Sequence, residues 1–167
     1  PYQSYFSTNL RSRKRNFDNN DFDLLFAVSQ YSIWPTGRLR LGIETFVGDW
    51  IDFAGSRPAD RLDLTPSVRV DVGRHLSMEY RHTYSSLEVD GGTLFEVHAP
   101  ELRIVHQFNA RMYVRAIFQY MSIERDLQLY SEDQRDSYAP ESEDLFAQLL
   151  FTYKVNPQTA LYLGYSN

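Results

Sequence analysis

The sequence predicts an all-β protein, an antiparallel up-and-down transmembrane β-barrel, and three observations carry that expectation. Apolar and polar residues alternate with period two along most of the chain, the pattern of strands with two unlike faces. The alternating runs are long, whereas strands in soluble proteins average about five or six residues. The connections between runs alternate between tight turns and longer loops, as do the periplasmic turns and extracellular loops of an outer-membrane barrel.

In chain order, a polar first strand runs from about Tyr2 to Arg13, and Arg15 to Asp23 (RNFDNNDFD) reads as a polar loop. The basic cluster Arg11, Arg13, Lys14 and Arg15 reads as a solvated rim or a lipid-headgroup contact. Leu24 to Trp34 is the second strand, with Leu24, Phe26 and Val28 on one face, and Pro35-Thr36-Gly37 signals a tight turn. From Arg38 to Phe53 the residues Leu39, Leu41, Ile43, Thr45 and Val47 alternate with Arg38, Arg40, Gly42, Glu44 and Phe46. After a connection at 54–61, Leu62, Leu64, Pro66, Val68, Val70 and Val72 alternate with Thr65, Ser67, Arg69 and Asp71. Pro66 lacks a ladder donor, so it requires an accommodating position or a bulge.

Gly73-Arg74 turns the chain into Leu76, Met78, Tyr80, His82 and Tyr84, which alternate with Ser77, Glu79, Arg81 and Thr83. A loop near 86–93 follows. The next strand carries Phe95, Val97 and Ala99 on one parity, then Leu102, Ile104 and His106 on the other. That phase change at Pro100 predicts a β-bulge. Asn109-Ala110 closes a tight hairpin, after which Met112, Val114, Ala116, Phe118 and Tyr120 oppose Arg111, Tyr113, Arg115, Ile117, Gln119 and Arg125. The longest loop is expected at about Gln128 to Asp144. Ala147, Leu149, Phe151, Tyr153 and Val155 then oppose Gln148, Thr152 and Lys154, and after the turn Asn156-Pro157-Gln158 a ninth strand begins.

Composition narrows the classes. The 167 residues are 43% hydrophobic and 15% aromatic, with 12 Tyr and 11 Phe, and no apolar run is long enough for a membrane helix. A mean hydropathy of -0.46 suits a barrel that is apolar only at alternate positions. With no cysteine there are no disulfides, thiolate metal sites or cysteine nucleophiles. A net charge of -5 and the absence of a broad basic face argue against nucleic acid as a partner. No cofactor and no metal site are expected.

A soluble up-and-down barrel would alternate in the same way. Lipid is favoured by strand length, by the scarcity of lysine on the polar parity, and by aromatics near strand ends (Trp34, Trp50, Phe53, Phe108, Tyr153), where interfacial girdles sit. The expected lipid-facing set includes Leu41, Ile43, Val68, Val70, Met78, Ile104, Val114, Phe118, Leu149 and Phe151. The expected lumen-facing set is Arg38, Arg40, Glu44, Arg69, Asp71, Glu79, Arg81, Arg103, Gln107, Arg111, Arg115, Gln119 and Lys154. An arginine or lysine held in mid-bilayer would cost about 2–4 kcal/mol, which forces these charges inward in a barrel. The strand count is about nine, an odd number. The chain is therefore expected to be one segment of a larger barrel, incomplete at both ends.

The run His106-Gln107-Phe108-Asn109-Ala110-Arg111-Met112-Tyr113-Val114-Arg115-Ala116-Ile117-Phe118-Gln119-Tyr120 resembles a phrase in the C-terminal barrel of a family of bacterial outer-membrane proteins. Members of that family carry an N-terminal carbohydrate-binding, family-nine-like module and have no assigned activity. The hairpin from Leu149 to Val155 and Leu161 to Asn167 is similar to another part of that barrel. The resemblance is firmest over the last third of the chain and implies an integral outer-membrane location.

The expected function is a pore or transport element for polar solutes with an arginine-rich lumen. The alternatives are a non-conducting scaffold barrel in a larger envelope complex and an outer-membrane hydrolase. Lipid, lipopolysaccharide, other envelope subunits and further barrel strands are the expected partners. For a hydrolase, His82 near Ser85 or Ser86 is the pairing to consider, but no nucleophile motif surrounds either serine. His75, His98 and His106 read as packed or interfacial residues. The loop acids Glu132, Asp133, Asp136, Glu141, Glu143 and Asp144 lack the spacing of a calcium loop and read as a solvated acidic segment.

Overall fold

The computed structural model describes residues 2–156 and 158–167, so the turn residue Pro157 lies outside the described residues. Nine strands pair in chain order, each antiparallel to the next. They are β1 (Gln3–Phe17), β2 (Asn20–Thr36), β3 (Leu39–Asp52), β4 (Arg57–Val72), β5 (Leu76–Val89), β6 (Gly92–Asn109), β7 (Met112–Arg125), β8 (Glu141–Asn156) and β9 (Thr159–Ser166). The only other regular pieces among the described residues are a 3-10 turn at Leu127–Leu129 and a helical turn, α1, at Glu132–Arg135. The sheet is open, with one free edge on β1 and the other on β9.

The strands are longer than the alternation suggested, and the connections correspondingly shorter. Asp18-Asn19 alone joins β1 to β2, both residues at positive φ (49° and 65°), the backbone that a two-residue hairpin requires and that Asp and Asn tolerate. The connection expected at 54–61 shrinks to residues 53–56, and the one expected at 86–93 to Asp90-Gly91. Only residues 126–140, between β7 and β8, form a long loop. The expected contrast between tight and extended ends therefore reduces to this one loop. Strand length grows in compensation: β1 to β8 run from 14 to 18 residues.

Registers assign the faces. Leu41 pairs with Val68, Val68 with Tyr80, Tyr80 with Leu102, Leu102 with Phe118 and Phe118 with Ala147. One residue away, Arg40 pairs with Arg69, Arg69 with Glu79, Glu79 with Arg103, Arg103 with Ile117 and Ile117 with Gln148. Directly paired residues point to the same side, so the two rows mark an apolar and a charged face. Ile43, Val70, Met78, Ile104, Val114, Leu149 and Phe151 share the face of Leu41 and Val68. Glu44, Asp71, Arg81, Gln107, Arg115, Gln119 and Lys154 share the face of Arg40 and Arg69. Arg38 and Arg111 are not strand residues; each occupies a two-residue turn.

The bulge expected at Pro100 is not formed. Pairing of β5 with β6 runs unshifted from Leu76↔His106 to Leu87↔Phe95 and slips only at Leu87/Glu88, beside the turn. Phe95, Val97 and Ala99 thus lie on the charged face, in line with Glu101 and Arg103. What changes along β6 is the environment of the two faces and not the phase of the backbone. The same holds on β2, where Phe22, Leu24, Phe26 and Val28 share the side of Ser32 and Arg40, leaving Leu25, Tyr31 and Ile33 on the apolar face. Pro66 and Pro100 are handled alike. Each keeps its pairing with the preceding strand, to Ile43 and His82, and the ladder to the following strand is interrupted there without a shift.

Packing concentrates at the loop end of the charged face. One cluster joins Phe22, Leu24, Phe26 and Ile51, with Phe17, Val28 and Phe46 around it. A second joins Ala59, Leu87, Leu94 and Tyr130, flanked by Trp50, Phe95 and Leu129. Gly48 allows the first: at φ +133° its Cα sits where a Cβ would lie 2.4 Å from the Leu25 carbonyl oxygen.

Candidate functional site

The charged face has two zones. Near the tight turns it carries the arginine-rich strip expected from the sequence, and its charges are largely satisfied by one another. Arg69 reaches Asp71 at 3.6 Å and Glu79 at 3.9 Å, Arg81 reaches Glu79 at 3.6 Å, and Arg103 reaches Glu101 at 3.6 Å. All are about half exposed on the arginine side, so each pair is worth roughly 1 kcal/mol or less. Arg40 faces Arg69 across the ladder, an unfavourable like-charge pairing. It turns instead over the Trp34 ring, 5.1 Å from the centroid, and towards Ser32 Oγ at 3.4 Å. Gln30 Nε2 donates to Glu44 at 3.4 Å.

Arg115 differs. It donates to Gln148 Oε1 at 3.2 Å, but its Nε is buried without a partner, as is Thr152 Oγ1 on neighbouring β8. Thr152 is 1% exposed. A buried hydroxyl with no partner costs stability that an isosteric methyl does not. Thr152→Val is therefore expected to stabilise the fold by about 1–2 kcal/mol, read as a raised denaturant midpoint.

Towards the loop end the same face becomes an aromatic cavity of about 490 Å³, within the range of ligand sites. Trp50, Leu87, Phe95, Val97 and Ile123 line it from four strands, and Tyr130 and Tyr138 close it from the β7–β8 loop. At its base Arg61 binds Asp63 through Nε (3.0 Å) and Nη2 (2.8 Å), and Ser85 Oγ donates to the same carboxylate at 2.6 Å. The Arg61 guanidinium lies 5.1 Å from the Trp50 ring centroid and 5.5 Å from that of Phe46, within cation–π range.

The loop is fastened by arginines and a glutamine donating to carbonyls. Arg57 Nη2 donates to Leu129 O at 2.6 Å, and Gln134 Nε2 donates to Ala54 O at 2.7 Å. Arg135 reaches Tyr130 O and Gln128 O, and Arg125 reaches Ala139 O. Asp52 anchors the other side. It accepts from the N–H groups of Ala54 and Gly55 at 3.0 Å and from Arg57 Nε at 2.8 Å. Burial pushes the Tyr130 phenol above its ordinary range, with nearby Arg125 pulling the other way, so the ring enters the cluster neutral.

Sequence reasoning missed this zone because its residues looked like loops or like the apolar face. Trp50 and Trp34, expected in interfacial girdles, lie on the charged face, while Phe108 and Tyr153 lie on the apolar one. Arg11, Arg13 and Arg15, expected at a rim, share the side of Phe26, Leu24 and Phe22.

Neither candidate serine is placed against His82. Ser85 lies on the charged face, bound to Asp63 and on the opposite side from His82. Ser86 shares the face of His82 but sits four residues, about 13 Å, along the strand. His82 instead shares a hydrogen bond with His98 (3.2 Å) and one with Tyr80 (3.3 Å). Of the loop acids, Glu132 and Asp133 open α1, Asp136 follows it, and Glu141, Glu143 and Asp144 belong to β8. Among the described residues no group of three His, Asp or Glu side chains is placed to hold a metal. The chain matches no known family, no curated protein and no solved structure.

Proposed function

We propose that this sheet is part of an outer-membrane β-barrel whose apolar face meets lipid and whose charged face lines a passage for polar solutes. The observation that carries the reading is the exposure of large apolar side chains along one face of the sheet. Phe6, Leu25, Tyr31, Ile43, Val70, Phe118, Leu149 and Leu163 are all exposed, and all share the face of Leu41. Water-exposed apolar surface running across a whole sheet marks an interaction surface or a membrane.

Its height fits a bilayer. On β4 the apolar positions run from Leu62 to Val72, close to the roughly nine to eleven residues that a tilted strand needs to cross. Beyond that band the same face turns acidic, at Asp23, Asp49, Asp60, Glu88 and Glu96. The ends of the strands therefore project into water as hairpins capped by the β7–β8 loop. Within lipid no sheet edge survives unpaired, so β1 and β9 pair with each other or with further strands.

Planar-bilayer recordings on the folded protein test the passage. Ohmic currents are expected, with anion preference reduced by Arg103→Gln and Arg115→Gln. Absence of currents from correctly folded protein rejects conduction. That outcome favours the scaffold reading, which the mutual pairing of Arg69, Arg81 and Arg103 with Glu79 and Glu101 already supports.

A further inference from the structure

The cavity roofed by the β7–β8 loop carries one cation that the surrounding residues do not neutralise. Arg61 is matched by Asp63 and Arg57 by Asp52, each at 2.8 Å. Arg125, which also lines the cavity, has no carboxylate within ion-pair distance among the described residues. Of its sequence neighbours, Glu124 alternates to the opposite face, and Asp126 turns back to accept the Gln128 N–H at 3.0 Å. Arg125 spends one amino group, Nη1, on Ala139 O (3.1 Å) and Ser142 Oγ (3.3 Å) and lies 5.6 Å from the Tyr138 ring centroid. Its other donors, Nε and Nη2, make no hydrogen bond among the described residues.

We propose that this cavity binds a small monoanionic amphiphile, a carboxylate with an apolar, ring-bearing body. The carboxylate pairs with the free edge of Arg125, and the body packs among Trp50, Leu87, Phe95 and Tyr130. The chemistry follows from the lining. Aromatic and aliphatic walls take up an apolar body, and a single uncompensated guanidinium in a partly desolvated site favours one negative charge with two acceptor oxygens. A dianion would leave a charge unmatched, and a neutral ligand would leave the guanidinium charge uncompensated. The site rests on the loop and its cavity and not on the membrane reading, so each can fail without the other.

The test uses the folded 167-residue chain and the probe 2-naphthoate, with neutral 2-naphthamide as its isostere. Trp50 is the reporter; Trp34 sits at the opposite end of its strand and is removed by Trp34→Phe. Saturable quenching by 2-naphthoate at submillimolar concentration is expected, with 2-naphthamide at least tenfold weaker. Arg125→Gln is expected to weaken the acid at least tenfold while leaving the amide unchanged, and Arg125→Lys to restore part of the loss. Equal binding of acid and amide, or an Arg125→Gln protein that binds the acid normally, overturns the proposal. If Arg125→Gln loses both ligands through release of the loop, Val97→Phe decides. That variant fills the cavity without touching the loop's hydrogen bonds, and unchanged 2-naphthoate binding to it places the site elsewhere and overturns the proposal.

Discussion

Replacing Phe118 by arginine is expected to destabilise the sheet in a bilayer by about 2–4 kcal/mol, and replacing the adjacent Gln119 by arginine to change it by less than about 0.5 kcal/mol. The two positions differ only in the face they occupy. Phe118 pairs with Leu102 and Ala147 and is 48% exposed on the apolar side. Gln119 pairs with Glu101 on the charged side, where a new guanidinium meets a carboxylate. Urea titrations of the protein folded into phosphatidylcholine vesicles measure both. If water covered the apolar face, Phe118→Arg would be neutral or even favourable, so equal midpoints for the two variants contradict the assignment.

Asp52→Ala is expected to cost about 3 kcal/mol, the lower end of the range for breaking a buried ion pair, because Arg57 keeps part of its hydration. The Asp52 side chain is 4% exposed and Arg57 31%. The substitution removes acceptors from the Ala54 and Gly55 N–H groups and leaves Arg57 without its counter-charge. Since Arg57 also holds Leu129 O, the β7–β8 loop is expected to come loose. Limited proteolysis should then cut residues 126–140 at least ten times faster, while the strands stay protected. A variant that loses stability with an equally protected loop would show that Asp52 supports the β3–β4 turn alone.

The faces were legible in the sequence wherever one side met a uniform environment. Leu39 to Val47 and Leu62 to Val72 alternate cleanly, and their pairing puts every apolar member except Phe46 on one side. Legibility failed near the loop end, for one physical reason. There the charged face becomes a packed core under a loop and the apolar face becomes acidic, so the pattern inverts while the backbone continues. On β6 the inversion imitated a bulge at Pro100, and on β2 it presented Leu24 and Phe26 as members of the apolar face. In RNFDNNDFD the same inversion, with Phe17 and Phe22 packed inward among polar neighbours, made a two-residue hairpin look like a loop. The cavity was illegible because it is assembled by contacts between residues far apart in sequence, such as Arg57 with Leu129 and Gln134 with Ala54. No local period records those contacts.

The central claim, that one face of this sheet meets lipid and the other water, is tested most directly by nitroxide scanning of β4. The chain has no cysteine, so each single cysteine from Leu62 to Val72 carries a unique label. In vesicles, the account predicts high accessibility to oxygen and low accessibility to a nickel chelate at Leu64, Val68 and Val70. The reverse is expected at Ser67, Arg69 and Asp71. Labels at Val68 and Val70 that relax with the nickel chelate as readily as the label at Arg69 would contradict it.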